Sequence, residues 1–333
     1  FLLCGGYTVT RFSEYLVTVK DQLTITIIRG AFIMKITGVL PALITPVKSD
    51  GSINETAARR LIRRLSECGA DGFYILGSTG EGILMEEKRR MEMCEIAVDE
   101  TAGKMPVICH TAAMNFDSAL RLTKHAAAAG ADAVSAIPPL FFRYDRKDLL
   151  LYYKRLAEAT DLPFIMYNHT AANGGMSAEA VAEIFNGVAN VTGVKWTVNN
   201  YCELMKLKRL TDGKINIING PDEMLVEGLA AGADAGIGTT YNVMLPEYKK
   251  IYESFKSGDI KRAADIQRRI NTVTEIIVRY GTIPATKYMC SLMGIEAGCA
   301  MQPLKRFTPE EGSRFETELK AAGWQPDGSV TAL

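Results

Sequence analysis

Eight times between residues 38 and 240, a short apolar run gives way to a longer stretch whose apolar residues recur every three or four positions. The runs are GVLPALITPV (38–47), DGFYILG (71–77), PVICHTA (106–112), AVSAIPP (133–139), PFIMYNH (163–169), VTGVKWT (191–197), KINIING (214–220) and DAGIGTT (234–240). Between them lie stretches such as NETAARRLIRRLSECGA and SALRLTKHAAAAGA, several of them closed by glycine. A short apolar run reads as a strand buried on both faces, and a three-to-four spacing reads as a helix with one apolar stripe. Strands joined through helices run parallel, because the helix carries the chain back to the edge where the next strand begins. Eight such units, repeating every 20 to 35 residues, predict an α/β fold, a (β/α)8 TIM barrel. A doubly wound open sheet is the alternative. It more often carries a glycine-rich nucleotide turn after its first strand, and LITPVKSDGS is not one.

The alternation stops after residue 258, where three helical stretches follow, DIKRAADIQRRINTVTEIIVRY, PATKYMCSLMGI and PEEGSRFETELKAAG. We therefore expect a barrel over residues 34–258 and a helical appendage over 259–333 packed on it. Residues 1–33 lack a basic start, an unbroken apolar core and a small-residue cleavage site, so they do not read as a signal peptide. Within them QLTITIIRGAFI is too short and polar to span a bilayer. MKITGVLPALITPV reads as a natural start, which makes residues 1–33 an upstream-translated or cloning-derived extension; a genuine N-terminal extension is the alternative.

Lys and Arg number 38, as do Asp and Glu, so no net positive charge points to nucleic acid or an anionic membrane. Seven cysteines are scattered without a CxxC pair, which suggests neither a metal site nor a disulfide framework and fits a reducing cytoplasm. Cys109 and His110 are neighbours in sequence, but adjacent strand residues face opposite sides and cannot meet as nucleophile and base. Cys109 reads as a buried structural thiol.

In a barrel of this kind the chemistry sits at the C-terminal ends of the strands. There the chain carries GSTGEG (77–82), MYNHT (166–170), NGPDE (219–223) and GIGTTYN (236–242). The first is a small-residue turn whose backbone N–H groups and hydroxyls suit a carboxylate or phosphate. The misfit is Lys195, inside the apolar run VTGVKWT. An ammonium inside a barrel costs several kcal/mol unless paired, or it loses its proton and becomes a nucleophile. A lysine pointing to solvent between the helices is the alternative. Tyr167, near the end of the neighbouring strand, places a phenol within reach of Lys195 as a proton shuttle.

With GSTGE (77–81), YN (167–168), GVKWT (193–197), NGPDE (219–223), AGADAGIGTTYN (231–242) and the helical tail in hand, the chain resembles the N-acetylneuraminate lyase/dihydrodipicolinate synthase family of class I aldolases from about Met34 to the C-terminus. The resemblance implies that Lys195 forms a Schiff base with a 2-oxo acid, that Tyr167 is the catalytic phenol, and that Ser78 and Thr79 bind the carboxylate of a pyruvate moiety. It implies no metal and no cofactor, a small-molecule substrate yielding pyruvate and an aldehyde sugar, and a homotetramer.

The synthase branch carries an arginine shortly after YN, where this chain has Ala172. The lyase branch is similar at Thr197, Gly220, Asp222 and Glu223, and at Thr239 in place of its usual serine. The implied function is cleavage of a 2-oxo-3-deoxy sugar acid, N-acetylneuraminate before others. A dihydrodipicolinate synthase-like enzyme, an aldolase or dehydratase for another sugar acid, and a catalytically idle sugar-acid-binding relative are the alternatives. Two departures from the family pattern bear on the proton relay. Phe141 stands where a tyrosine is usual, with Tyr144 nearby, and HTAAN (169–173) replaces a proline-containing run and puts His169 near the site. His169 reads as a substrate contact, a second acid/base or a loop residue without function.

Overall fold

The computed structural model describes residues 35–170 and 174–331. The expectations placed on residues 1–33 and on Ala172 fall outside the described residues. Eight parallel strands form one sheet: β1 (Gly38–Pro41), β2 (Phe73–Ile75), β3 (Val107–His110), β4 (Ala133–Ala136), β5 (Phe164–His169), β6 (Val191–Thr197), β7 (Asn216–Asn219) and β8 (Ala235–Gly238). Their order is β1-β8-β7-β6-β5-β4-β3-β2, and a parallel bridge between Ala42 and Tyr74 joins the end of β1 to β2. The ring is thereby closed, and the open doubly wound sheet is overturned: strand order never reverses.

Every residue of β1, β2, β3, β4, β7 and β8 is buried. That is the physical origin of the unbroken apolar runs, because one face of each strand meets the helices and the other fills the barrel. Cys109 and His110 illustrate the alternation. The Cys109 thiol lies against Cys94 of a covering helix, while the His110 ring lies edge-on to Tyr167 at 5.9 Å.

The helices around the ring are α1 (Glu55–Glu67), α2 (Glu87–Thr101), α3 (Phe116–Ala129), α4 (Arg146–Ala157), α5 (Ala178–Gly187), α6 (Tyr201–Leu210), α7 (Leu225–Ala230) and α8 (Tyr241–Lys256). Short polar side chains start several of them. Asn54, Asn115, Ser177 and Asn200 each accept an N–H of the first turn, and Asp145 forms a reciprocal capping box with Asp148.

Three further helices follow, α9 (Ile260–Tyr280), α10 (Thr282–Leu292) and α11 (Pro309–Ala321). They do more than cover the barrel. From α9, Gln267 Nε2 donates to the Asp222 carbonyl at 3.2 Å and Asn271 Nδ2 to the Glu223 carbonyl at 3.0 Å. The appendage thus fixes the backbone that follows β7.

Candidate active site

β5 and β6 pair in register, with Tyr167 opposite Lys195 and His169 opposite Thr197. Alternation turns Val194 and Trp196 outward, where both are fully buried, and turns Lys195 and Thr197 into the barrel mouth. Lys195 is therefore no solvent-facing lysine: it is 5% exposed. Its Nζ makes no hydrogen bond or ion pair with the described residues and lies 4.3 Å from the centre of the Tyr74 ring and 4.4 Å from that of Tyr167. Aromatic faces favour an ammonium by about 0.5–2 kcal/mol, whereas withdrawing a charge from water costs several kcal/mol. Desolvation wins. Burial lowers the Lys195 pKa to about 7, against the opposing pull of the Asp222 carboxylate. A free lysine at neutral pH is neutral in roughly four molecules per ten thousand; here roughly half carry the nucleophilic amine.

The pH consequence follows directly. The rate of imine formation with a 2-oxo acid should level off above pH 7 and fall about tenfold per pH unit below it, as Lys195 takes up a proton. Rates of trapped adduct formation measured from pH 5 to 9 test this. A profile still rising at pH 9 would mean that the amine titrates like an ordinary lysine.

Tyr167 is 3% exposed. Burial pushes its phenol up, and the hydroxyls of Ser78 and Thr197 pull it partway back. Thr197 Oγ1 nevertheless meets no partner at full hydrogen-bond geometry and is buried. It is an orphan donor facing the phenol. Gly220, beside it, admits no side chain, because a Cβ there would collide with Thr197 Oγ1.

After β2 the chain makes a tight turn in which the Glu81 N–H donates to the Ser78 carbonyl at 3.1 Å and the Gly82 N–H to the Gly77 carbonyl at 3.2 Å. The carbonyls are consumed inside the turn. Among the described residues the N–H groups of Ser78 and Thr79 find no acceptor, which is the arrangement of an anion nest. Thr79 Oγ1 meets Thr239 Oγ1 at 2.6 Å, tying this turn to the end of β8.

Asp222 and Glu223 differ in their surroundings. Asp222 Oδ2 accepts from the N–H and the Oγ1 of Thr240 at 2.6 and 2.7 Å. Burial raises its carboxyl to about 6, with Thr240 opposing. The Glu223 carboxylate is exposed and makes no hydrogen bond or ion pair with the described residues. Of the two, Glu223 is the carboxylate still open to a ligand on both oxygens.

Lys195, Tyr167, Ser78, Thr79, Thr197, Gly220, Asp222, Glu223 and Thr239 all line one cavity of about 390 Å³. His169 lines it too, its ring 5.5 Å from that of Tyr167. Burial, and after it the Lys195 charge, hold the His169 pKa below the ordinary imidazole value. Neither Phe141 nor Tyr144 reaches the cavity: Phe141 is 85% exposed, and Tyr144 borders a separate surface groove with Arg155. Among the described residues no group of three or more His, Cys, Asp or Glu side chains could hold a metal ion.

Among the residues that the sequence did not point to are Tyr74, behind the amine, and a part of the cavity wall. Tyr74 lies under Lys195, its hydroxyl 3.0 Å from Ser135 Oγ. Its place on β2, three residues before GSTGE, was the available signal. Thr274, Val278, Thr282 and Ile283 come from α9 and α10 and close the far side. Nothing local marks them, since they meet the site only through the packing of the appendage.

The dihydrodipicolinate synthetase family matches residues 35–322. An N-acetylneuraminate lyase of Rhizobium meliloti is 32% identical over 273 residues, covering 82% of this chain and 91% of that protein. The N-acetylneuraminate lyase structure from Proteus mirabilis superposes with a TM-score of 0.84 at 30% identity, covering 87% of this chain and all of that one. The structure of CdNal from Clostridium difficile in complex with mannosamine superposes with a TM-score of 0.82 at 29% identity, over 86% of this chain and 99% of that one. A closed (β/α)8 barrel with C-terminal helices, matched to these relatives over most of its length, makes the chain a member of the dihydrodipicolinate synthetase family and a class I pyruvate-dependent aldolase.

Proposed function

We propose that this aldolase cleaves a 2-oxo-3-deoxy sugar acid, N-acetylneuraminate before others, to pyruvate and an aldehyde sugar, with Lys195 as the Schiff-base residue. The unpaired, desolvated amine of Lys195 beside the Tyr167 phenol carries the reading. The neutral amine attacks the C2 ketone, and the resulting carbinolamine takes a proton from solvent on its hydroxyl and loses water to leave a protonated imine. The Ser78 and Thr79 N–H groups hold the adjacent carboxylate. Tyr167 takes the proton of the C4 hydroxyl as its own passes through the hydroxyls of Ser78 and Thr197 to solvent. The C3–C4 bond then breaks, its electron pair moves into the imine, and the aldehyde leaves. Protonation of the enamine at C3 and hydrolysis release pyruvate and restore the amine. No helix among the described residues is long and apolar enough to cross a membrane. We place the enzyme in the cytoplasm as a homotetramer by resemblance; light scattering tests the assembly.

Incubation with pyruvate and borohydride, read by peptide mass spectrometry, should leave a reduced pyruvyl group on Lys195. An adduct on another lysine would sink the assignment. A panel of 2-oxo-3-deoxy sugar acids then separates N-acetylneuraminate from its rivals. Glu223 tests the tail. A charged hydrogen bond to a polyol is worth roughly 1.5–3 kcal/mol, or about ten- to 150-fold. Glu223→Ala should therefore lose that factor on N-acetylneuraminate and far less in the condensation of pyruvate with a short aldehyde. The loss falls on kcat as well as KM, since remote binding orients the reacting centre. Equal losses on long and short substrates would mean that Glu223 supports the fold instead.

A further inference from the structure

Beneath the anion nest lies an ion pair that the reaction does not use. Glu81, the fifth residue of the 77–82 turn, has a side chain fully closed to solvent, and it pairs through Oε2 with the Nζ of Lys287 on α10, itself 1% exposed. Glu81 Oε1 accepts the N–H of Met301 at 2.5 Å, and Lys287 Nζ donates to the Cys299 carbonyl at 3.1 Å. The segment just before those two residues is clamped to the barrel as well. The Val47 N–H donates to the Ala297 carbonyl at 3.1 Å, and a Cβ at Gly298 would collide with the Val47 carbonyl.

The turn needs such an anchor. Leu76, just before the turn, and Glu81 within it take left-handed backbone conformations at φ of 61° and 55°, which relax elsewhere unless the surroundings hold them. Thr45 Oγ1 donates to the Gly80 carbonyl at 2.8 Å from the β1 side. From the other side the hold comes from α10 and the segment after it, through Glu81. An unpaired carboxylate at this depth would be strongly disfavoured, so the turn keeps Glu81 inward only while Lys287 is there to meet it.

We propose that Glu81 and Lys287 are positioning residues: they hold the 77–82 turn with its Ser78 and Thr79 N–H groups aimed into the cavity, so that the C-terminal helices set the enzyme's affinity for the carboxylate of the 2-oxo acid. The proposal rests on the aldolase reading above. It separates two quantities. The pair touches neither the amine nor the phenol, so it governs how tightly pyruvate is held before attack and not how fast a held pyruvate reacts.

The test uses the full chain and four proteins: unsubstituted, Glu81→Gln, Lys287→Met, and the double substitution. Rates of borohydride-trapped adduct formation are measured against pyruvate concentration, alongside circular dichroism and thermal melting. Each single variant should raise the half-saturating pyruvate concentration by roughly tenfold or more, the size of one charge-assisted hydrogen bond, with the rate at saturation within about twofold, a split expected of lost positioning alone. The double variant leaves no uncompensated buried charge and should recover part of the loss. It also serves where a single variant does not fold. A lowered melting temperature with unchanged pyruvate saturation in Glu81→Gln would overturn the proposal and leave the pair a purely structural one. A fall in the saturated rate alone would overturn it too, since the pair would then act on Lys195. No adduct in the unsubstituted protein would remove the aldolase reading, and this proposal with it.

Discussion

Lys195→Arg should abolish both turnover and the borohydride-trapped pyruvate adduct, and Lys195→Ala should do the same. The arginine variant is the sharper test. A guanidinium keeps a cation and a long side chain in the cavity but stays protonated at any accessible pH, so it cannot attack a ketone. The Lys195 pKa falls to about 7 because its Nζ, out of water between Tyr74 and Tyr167, has no ion pair among the described residues to keep it charged. Mass spectrometry after borohydride reduction reads the adduct, and a coupled pyruvate assay reads turnover. Residual turnover above about one part in ten thousand in Lys195→Arg would mean that the imine is not on the pathway, given the ten-thousandfold scale on which covalent and acid–base groups commonly act.

Tyr167→Phe should lower kcat by roughly 10²–10⁴-fold, the usual span for a positioned proton-transfer group, while the pyruvate adduct on Lys195 still forms. The ring remains to pack against Lys195 and His169, so the loss isolates the hydroxyl that faces Ser78 and Thr197. Single-turnover measurement of sugar acid cleavage separates the bond-breaking step from imine formation. A variant that loses the adduct as well would show that the phenol is needed earlier, in forming the imine. His169 bears on the size of the effect. Its imidazole lines the same cavity, two residues along the same face of β5. If it shares the proton relay, Tyr167→Phe will fall toward the smaller end of that range, and a Tyr167→Phe/His169→Asn pair will lose more than the first change alone.

The barrel was legible because it is written in period. Strands covered on both faces must be apolar throughout, helices on the outside need only one stripe, and eight repetitions close a ring. The site residues were legible for a related reason. A strand in this fold has almost no position where a charge is tolerated, so Lys195 between Val194 and Trp196 stood out against its surroundings, and the rule of strand ends brought Ser78, Thr79, Tyr167 and Asp222 to one mouth. Motif resemblance suggested the roles proposed for them, and the tertiary structure sets the distances between them.

Other features were invisible along the chain. VTGVKWT is compatible with an inward or an outward Lys195, since register and sheet closure select the face. The difference between Asp222, bound to Thr240, and the open Glu223 is set by contacts eighteen residues away. Tyr74 beneath the amine, the α9 and α10 wall, and the pairing of Glu81 with Lys287 across some two hundred residues likewise depend on packing. Periodicity and backbone preference are local properties, which a sequence states residue by residue. A pKa, an orphaned hydroxyl or a buried ion pair depends on what is brought alongside and on how much water is left there. Only the closed barrel with its appendage in place determines those.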